Sequence, residues 1–197
     1  RSDDKEYDLG LHVTTPSPFT LQRFIRKARD TSDFLVLEVT SHALDQYRVW
    51  GIDFNVAVLT NITREHLDYH KTYEKYVRTK ATLLAMARVA VVNRNDESYA
   101  FIEKIKNQKW VTYGIGNNSD INPKVFPFKT TLLGEFNTYN ILAGVAVCRA
   151  VGISNEVIRR AVESFVLPVG RMEVVHEDEF IVMIDFAHTP NALEQVL

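Results

Sequence analysis

The sequence predicts an α/β fold: a mostly parallel, doubly wound sheet flanked by helices, with a small β subregion. Three observations lead there. Short apolar runs rich in Val, Leu and Ile recur along the chain. Segments of helical periodicity separate them. Several runs end in polar residues, as strands do where their carboxyl ends meet a ligand-binding edge.

The elements follow in order. Phe19 to Ala28 has helical spacing. Phe34 to Val39 (F-L-V-L-E-V) is a near-continuous apolar run, expected of a central parallel strand covered on both faces, and it leads into Thr40, Ser41 and His42. Asn55 to Ile62 is a second such run. Thr72 to Ala87 then places Tyr73, Tyr76, Val77, Ala81 and Leu84 near helical spacing. Val89 to Asn93 is a third strand, Asp96 to Ile105 a helix, and Trp110 to Tyr113 a fourth strand closed by Gly114. Ile121 to Leu133 carries two prolines and a T-T-L-L run and predicts a short β insertion. Asn137 to Val151 is an apolar helix stopped by Gly152, and Ser154 is placed to cap a helix reaching Phe165. Two further strands, Met172 to His176 and Phe180 to Asp185, flank an acidic turn, and Pro190 to Leu197 starts a last helix.

Bulk properties narrow the function. A length of 197 residues suffices for one sizeable core. The net charge of −2 supplies no basic field for nucleic acid or an anionic membrane. No apolar run approaches the roughly 20 residues that cross a bilayer. Arg1 to Asp8 is charged and has no signal-peptide core. A single cysteine, Cys148, builds no disulfide framework and no zinc site, and its apolar surroundings read as a small buried side chain. The expectation is a cytoplasmic protein without nucleic-acid or membrane partners.

Three polar clusters follow predicted strands: Glu38 to His42, Thr60 to His70 and Asp185 to Pro190. One sheet would bring them to a single edge. Glu38 is a carboxylate at the end of an apolar strand, either solvated or in need of a cation. His66, Asp68 and His70 have side chains that suit metals, and they equally suit an exposed loop. Thr14 and Thr15 read as caps of the helix near Phe19, or as hydroxyls that hold an anion at its N-terminus. Lys80, on a helix, reads as solvated surface. Asn137 reads as a cap, whereas Asn140, one turn later, is not explained that way. No G-x-x-x-x-G-K-[ST] phosphate loop occurs.

Six strings, in order, carry a resemblance. They are E-V-T-S-H-A-L-D-Q-Y-R-V at Glu38 to Val49, T-N-I-T-R-E-H-L-D-Y-H at Thr60 to His70, and Y-V-R-T-K at Tyr76 to Lys80. G-E-F-N-T-Y-N at Gly134 to Asn140, G-R-M-E at Gly170 to Glu173, and D-F-A-H-T-P-N-A at Asp185 to Ala192 complete the set. Together they resemble the motifs of the Mur ligases that add the third residue of the peptidoglycan stem peptide. The family patterns read E-V-S-S-H-A-L-x-x-x-R-V, T-N-L-T-R-D-H-L-D-x-H, Y-x-x-x-K, G-x-F-N-x-x-N, G-R-M-E and D-Y-A-H-T-P-D-A. Thr40, Glu65, Phe186 and Asn191 depart from them, and the last two lose a hydroxyl and a charge.

The resemblance implies a P-loop-NTPase-like central domain of a Mur ligase, and it implies roles. Glu38 and His66 would bind magnesium beside the ATP phosphates. Lys80 would carry a carbamate that helps to hold a second magnesium. Thr14, Thr15, Ser41, Gln46 and Arg48 would contact the UDP-MurNAc-dipeptide, and the guanidinium fork of Arg48 suits an anion. Asn137 or Asn140, the latter favoured, would meet adenine. Asp185 would meet ribose, Arg171 the phosphates or a domain hinge, and His188 would shape that site. The resemblance also places a P-loop upstream of Thr14, and uridine-binding and amino-acid-binding domains on either side. The expectation is therefore a central domain over residues 1–197, cut short at both ends, monomeric, and inactive by itself. Its parent would join an amino acid, diaminopimelate or lysine, to the UDP-linked peptide. Two alternatives remain open at this point. One is a sister ligase of the folylpolyglutamate or cyanophycin type. The other is a non-catalytic binding module.

Overall fold

A computed structural model describes residues 14–105 and 109–197, so the charged stretch Arg1 to Asp8 lies outside the described residues. Helix α1 (Pro18–Ala28) begins with proline at its first position, where no backbone donor is lost, and the Ser17 hydroxyl accepts from the Thr20 amide at 3.4 Å. Ser17, not Thr14 or Thr15, is therefore the cap. Arg26 and Lys27 sit in its last turn, where the helix dipole favours cations.

The parallel sheet has three strands in the order β1 (Phe54–Leu59), β2 (Ala87–Asn93) and β3 (Lys109–Tyr113). Val56 pairs with Val89, and Val91 with Val111. Strand alternation sends Ala57, Leu59, Ala90 and Val92 to one face. There they meet Tyr76, Val77, Ala81 and Leu84 of α4 (Tyr73–Ala85), the stripe read from the sequence, together with Ile102 of α5 (Tyr99–Ile102). Val56, Val58, Val91 and Val111 face the other way, onto α6 (Glu135–Ala150) and, through Ile158, α7 (Asn155–Glu163). Leu142 of α6 is fully enclosed there. Burying a leucine contributes about 1.5–3 kcal/mol. Cys148 is half-buried against the same cluster, and burial pushes its thiol above the ordinary value.

Two short helices were not legible in the sequence. They are α2 (Ser41–Asp45), capped by the Thr40 hydroxyl, and α3 (Leu67–His70). The predicted caps Ser154 and Gly152 hold: Ser154 caps α7, and Gly152 follows α6 with φ +86°.

Three expectations are corrected. The run Phe34–Val39 joins no ladder among the described residues, and a side chain ties its end. The Thr15 hydroxyl donates to the Glu38 carbonyl at 3.0 Å and accepts from the Thr40 amide at 3.1 Å. Leu37 and Val39 pack on Leu21, Leu44 and Val49, while Val36 is 94% exposed. Ile121–Leu133 forms no strand; a single bridge ties Ile121 to Tyr113, and turns around Asn122 take up the following amides. Lastly, among the described residues β4 (Glu173–Glu177) and β5 (Ile181–Ile184) pair only with each other, in an exposed antiparallel hairpin ahead of α8 (Pro190–Val196). The Asp185–Pro190 cluster is thus not delivered by the parallel sheet.

Candidate functional site

The segments after Phe34–Val39 and after β1 do come together. Thr15, buried, spends its hydroxyl on the backbone around Glu38, and its carbonyl accepts from Nη1 of Arg48 at 2.8 Å. Nε and Nη2 of Arg48 donate to Oε1 of Gln46 at 2.9 and 2.6 Å. Arg48 is thus aimed by two neutral acceptors, so its charge stays available to an anion. Thr14 and Gln46 are exposed beside it, whereas Ser41 is buried with its hydroxyl 3.0 Å from Nε2 of His70.

His66 adopts a left-handed backbone (φ +55°), and its carbonyl accepts from the amides of Tyr69 and His70. Such strain in a non-glycine residue collects at functional sites. Its ring lies 5.2 Å from that of His42 and 6.0 Å from that of Tyr76. Tyr76 is the hub: the His70 ring stacks on it at 5.0 Å, and Nζ of Lys80 stands 5.3 Å from its centre. Burial raises the Tyr76 phenol to about 12, with Glu65 adding to the rise. Burial also lowers the half-buried Lys80 ammonium below its ordinary value, against the opposing pull of Glu65, Asp96 and Glu38. Lys80 is therefore a half-buried lysine on α4 that feels three carboxylate charges, not fully solvated surface. Asp96 is itself fixed, accepting from the Ile62 amide and from both the amide and the hydroxyl of Ser98.

His66 and Lys80 thus both flank Tyr76, and Glu38 is exposed and acts on Lys80 through its charge. Among the described residues no three His, Cys, Asp or Glu side chains are grouped to hold a metal.

A second group gathers at the start of α6. Gly134 precedes the helix with φ +87°, and a Cβ there would come within 2.5 Å of the Phe136 ring. Asn137 is buried inside the first turn rather than capping it. Its amide donates to the Leu133 carbonyl at 2.7 Å and approaches the Met172 sulfur at 3.8 Å. Asn140 is exposed and touches Asn137. Met172, itself at φ +43°, donates its amide to Oδ2 of Asp185 at 2.9 Å, and Oδ1 accepts from Ala187 at 2.7 Å. The Arg171 guanidinium stacks on Phe186 at 4.7 Å, and Nδ1 of His188 meets the Phe186 carbonyl at 2.9 Å. Asn137, Asn140, Arg171, Asp185 and His188 therefore form one neighbourhood, assembled through Met172 and Phe186.

Sequence reasoning missed His42, Tyr76 and Asp96 as parts of the site. Tyr76 carried a signal, since it precedes Lys80 by four residues on one helix face. Asp96 carried another, just past the carboxyl end of β2. His42 carried none.

The chain is similar to several known proteins. A profile described as Mur ligase middle domain matches residues 5–148. A UDP-N-acetylmuramoyl-L-alanyl-D-glutamate–2,6-diaminopimelate ligase from Bacillus velezensis is 38% identical, over 93% of this chain and 44% of its own length. A solved structure of a ligase with the same name superposes with a TM-score of 0.76 at 31% identity, covering 93% of this chain and 43% of that one. A complex of FPGS with AMPPCP has a TM-score of 0.57 at 16% identity, covering 90% of this chain and 55% of that one, a likeness of fold alone. The chain spans less than half the length of the curated relative it matches. Among the described residues no helix is long and apolar enough to cross a membrane.

Proposed function

The chain belongs to the Mur ligase middle-domain family, and from that premise we propose that it is the central, ATP-handling part of a cytoplasmic, monomeric ligase of peptidoglycan precursor synthesis. The whole enzyme joins diaminopimelate or lysine to UDP-N-acetylmuramoyl-L-alanyl-D-glutamate. The observation that carries the reading is a half-buried Lys80 beside Tyr76, its ammonium disfavoured by burial and favoured by the charges of Glu65, Asp96 and Glu38. Identity at the level of the diaminopimelate ligases supports it over a folylpolyglutamate-type ligase, with which only the fold is shared.

The chemistry is acyl activation. A carboxylate oxygen of the UDP-linked peptide attacks the γ-phosphorus of ATP, and ADP leaves. The acyl phosphate is then attacked by the amine; a tetrahedral intermediate expels phosphate, and the amine loses a proton as the amide forms. Glu38, His66 and Lys80 as a carbamate are the donors that would hold two magnesium ions, which offset charge on the phosphate oxygens. Carboxylate, carbamate and imidazole form a donor set compatible with that ion. Thr14, Thr15, Ser41, Gln46 and Arg48 bind and orient the UDP-linked peptide, Arg48 through its pre-aimed guanidinium. Asn140 and Asp185 contact adenine and ribose. Asn137 braces the helix beneath them, and Arg171 and His188 shape that pocket. Positioning and electrostatics supply most of the rate enhancement in such reactions. The chain contains no G-x-x-x-x-G-K-[ST] loop, so the 197 residues alone are proposed to be inactive.

The test is phosphate release by the full-length protein with ATP, magnesium, the UDP-muramoyl dipeptide, and diaminopimelate or lysine. Release that requires the dipeptide and one of these amines supports the reading. Release with a folate substrate but not with the dipeptide overturns it.

A further inference from the structure

Ser41 opens α2 and His70 closes α3, and both side chains are shut away from solvent. Their one side-chain bond runs from His70 Nε2 to the Ser41 hydroxyl, 3.0 Å apart. The other ring nitrogen, Nδ1, has no hydrogen-bond partner among the described residues. An unpartnered buried polar atom is uncommon and calls for a reason.

The ring is not free to seek another partner. Tyr76 stacks against it at 5.0 Å with planes 27° apart, the Tyr69 ring meets it edge-on at 4.9 Å, and His42 lies at 5.8 Å. The His70 amide is tied to the His66 carbonyl at 2.9 Å, so the backbone is anchored as well.

The two neutral tautomers make Ser41 do different things. With the proton on Nδ1, Ser41 must surrender its hydrogen to Nε2, and an orphaned N–H is buried. With the proton on Nε2, Ser41 accepts, and its own hydrogen is released toward a third group; only a ring lone pair stays bare. Orphaned buried N–H donors are rarer in proteins than under-satisfied acceptors. Once a ligand offers an acceptor, the second arrangement leaves fewer groups unpaired.

We propose that His70 is a positioning residue: it donates Nε2–H to Ser41, so that the Ser41 hydroxyl donates in turn to an acceptor oxygen of the bound acidic substrate. The inference rests on the reading of Ser41 as a substrate contact. Ser41 opens the short helix that leads to Gln46 and Arg48, which are read with it as contacts of the same ligand. His70 touches no reacting atom; it sets the direction of a donor that does.

The experiment uses the full-length ligase and measures KM for the UDP-muramoyl dipeptide and for ATP separately. Ser41→Ala is expected to raise the dipeptide KM about three- to tenfold, the worth of one hydrogen bond, with the ATP KM unchanged. His70→Leu produces the same rise, the double variant adds nothing further, and His70→Gln, whose amide can donate from the Nε2 position, restores most of the loss. An unaltered dipeptide KM in Ser41→Ala overturns the reading of Ser41 itself. A raised KM in Ser41→Ala with a normal one in His70→Leu, or failure of His70→Gln to rescue, overturns the role of His70 alone. Should His70→Leu fail to fold, ¹⁵N imidazole shifts of the wild-type enzyme with dipeptide bound decide. A protonated Nε2 with a bare Nδ1 supports the proposal, and a protonated Nδ1 overturns it.

Discussion

Nζ of Lys80 stands 5.3 Å from the centre of the Tyr76 ring, one turn back along α4. The lysine is half-buried beside that ring. Burial lowers its pKa, and the carboxylates of Glu65, Asp96 and Glu38 only partly restore it. A lowered pKa enlarges the fraction of neutral amine at neutral pH, and only the neutral amine adds carbon dioxide. Carbamate occupancy should therefore rise with pH through the Lys80 pKa and be lost on acidification. Lys80→Arg keeps the charge and cannot be carbamylated; it should lower kcat of the full-length ligase on the order of 10²-fold or more, the scale of losing one electrostatic contact to the transition state. With ¹³C-bicarbonate, the wild type should show a carbamate carbon resonance that Lys80→Arg lacks. Wild-type kcat in Lys80→Arg would refute the assignment.

Asn137 and Asn140 should separate cleanly. Asn137 is buried and its amide donates to the Leu133 carbonyl, so Asn137→Ala removes that bond and should cost about 0.5–1.5 kcal/mol of stability. Asn140 is exposed, so Asn140→Ala should leave the melting temperature nearly unchanged while raising KM for ATP. Thermal melts beside ATP titrations check both; a stable Asn137→Ala with weakened ATP binding would exchange the two roles.

Alkaline stability should depend on Tyr73. Its hydroxyl donates to the Ile62 carbonyl at 2.9 Å, and burial, followed by the charges of Asp96 and Glu97, pushes its pKa up to about 12, against the pull of Arg64. The fold favours the protonated phenol. That stabilisation is complete below the unfolded value near 10 and disappears as pH rises from 10 to 12. Tyr73→Phe should lose about 1 kcal/mol at pH 7, the worth of the hydrogen bond, and should flatten the decline of melting temperature between pH 10 and 12. Tyr76, raised similarly, keeps part of the slope. An equally steep decline in Tyr73→Phe would show that the Tyr73 phenol is not the titrating group.

The α4 stripe, the three paired strands and the Ser154 cap were legible because periodicity and capping are local properties. Phe34–Val39 pairs with no strand among the described residues; an apolar run announces a strand but not its neighbour, and the backbone bonds described at its end are to the Thr15 hydroxyl. The candidate site was partly readable. Lys80 looked like surface because one helix face says nothing about Glu38, Glu65 and Asp96, which reach it from three other segments. His70 read as a loop residue, yet it is the most enclosed of the histidines at this site, because Tyr69 and Tyr76 close over it. The convergence of Asp185 was expected through the sheet and arises instead through Met172 and α6.

That last contact yields a further prediction. The Asp185 carboxylate accepts from the Met172 amide through one oxygen and from the Ala187 amide through the other, and Met172 sits at φ +43°. A non-glycine residue held there costs on the order of 1–3 kcal/mol and persists only while its surroundings enforce it. Each carboxylate oxygen has a further lone pair, so bracing the loop leaves room to accept from a ribose hydroxyl. Asp185→Ala removes both functions and should lower stability by about 1–3 kcal/mol while raising KM for ATP. Asp185→Asn keeps one carbonyl oxygen and presents an amide where the second was, so it should hold one of the two backbone amides and fall between wild type and alanine in both measurements. Because one carboxylate serves both purposes, melting temperature and ATP affinity should decline together across the series. A variant that loses nucleotide affinity at full stability would show that Asp185 meets ribose without bracing Met172.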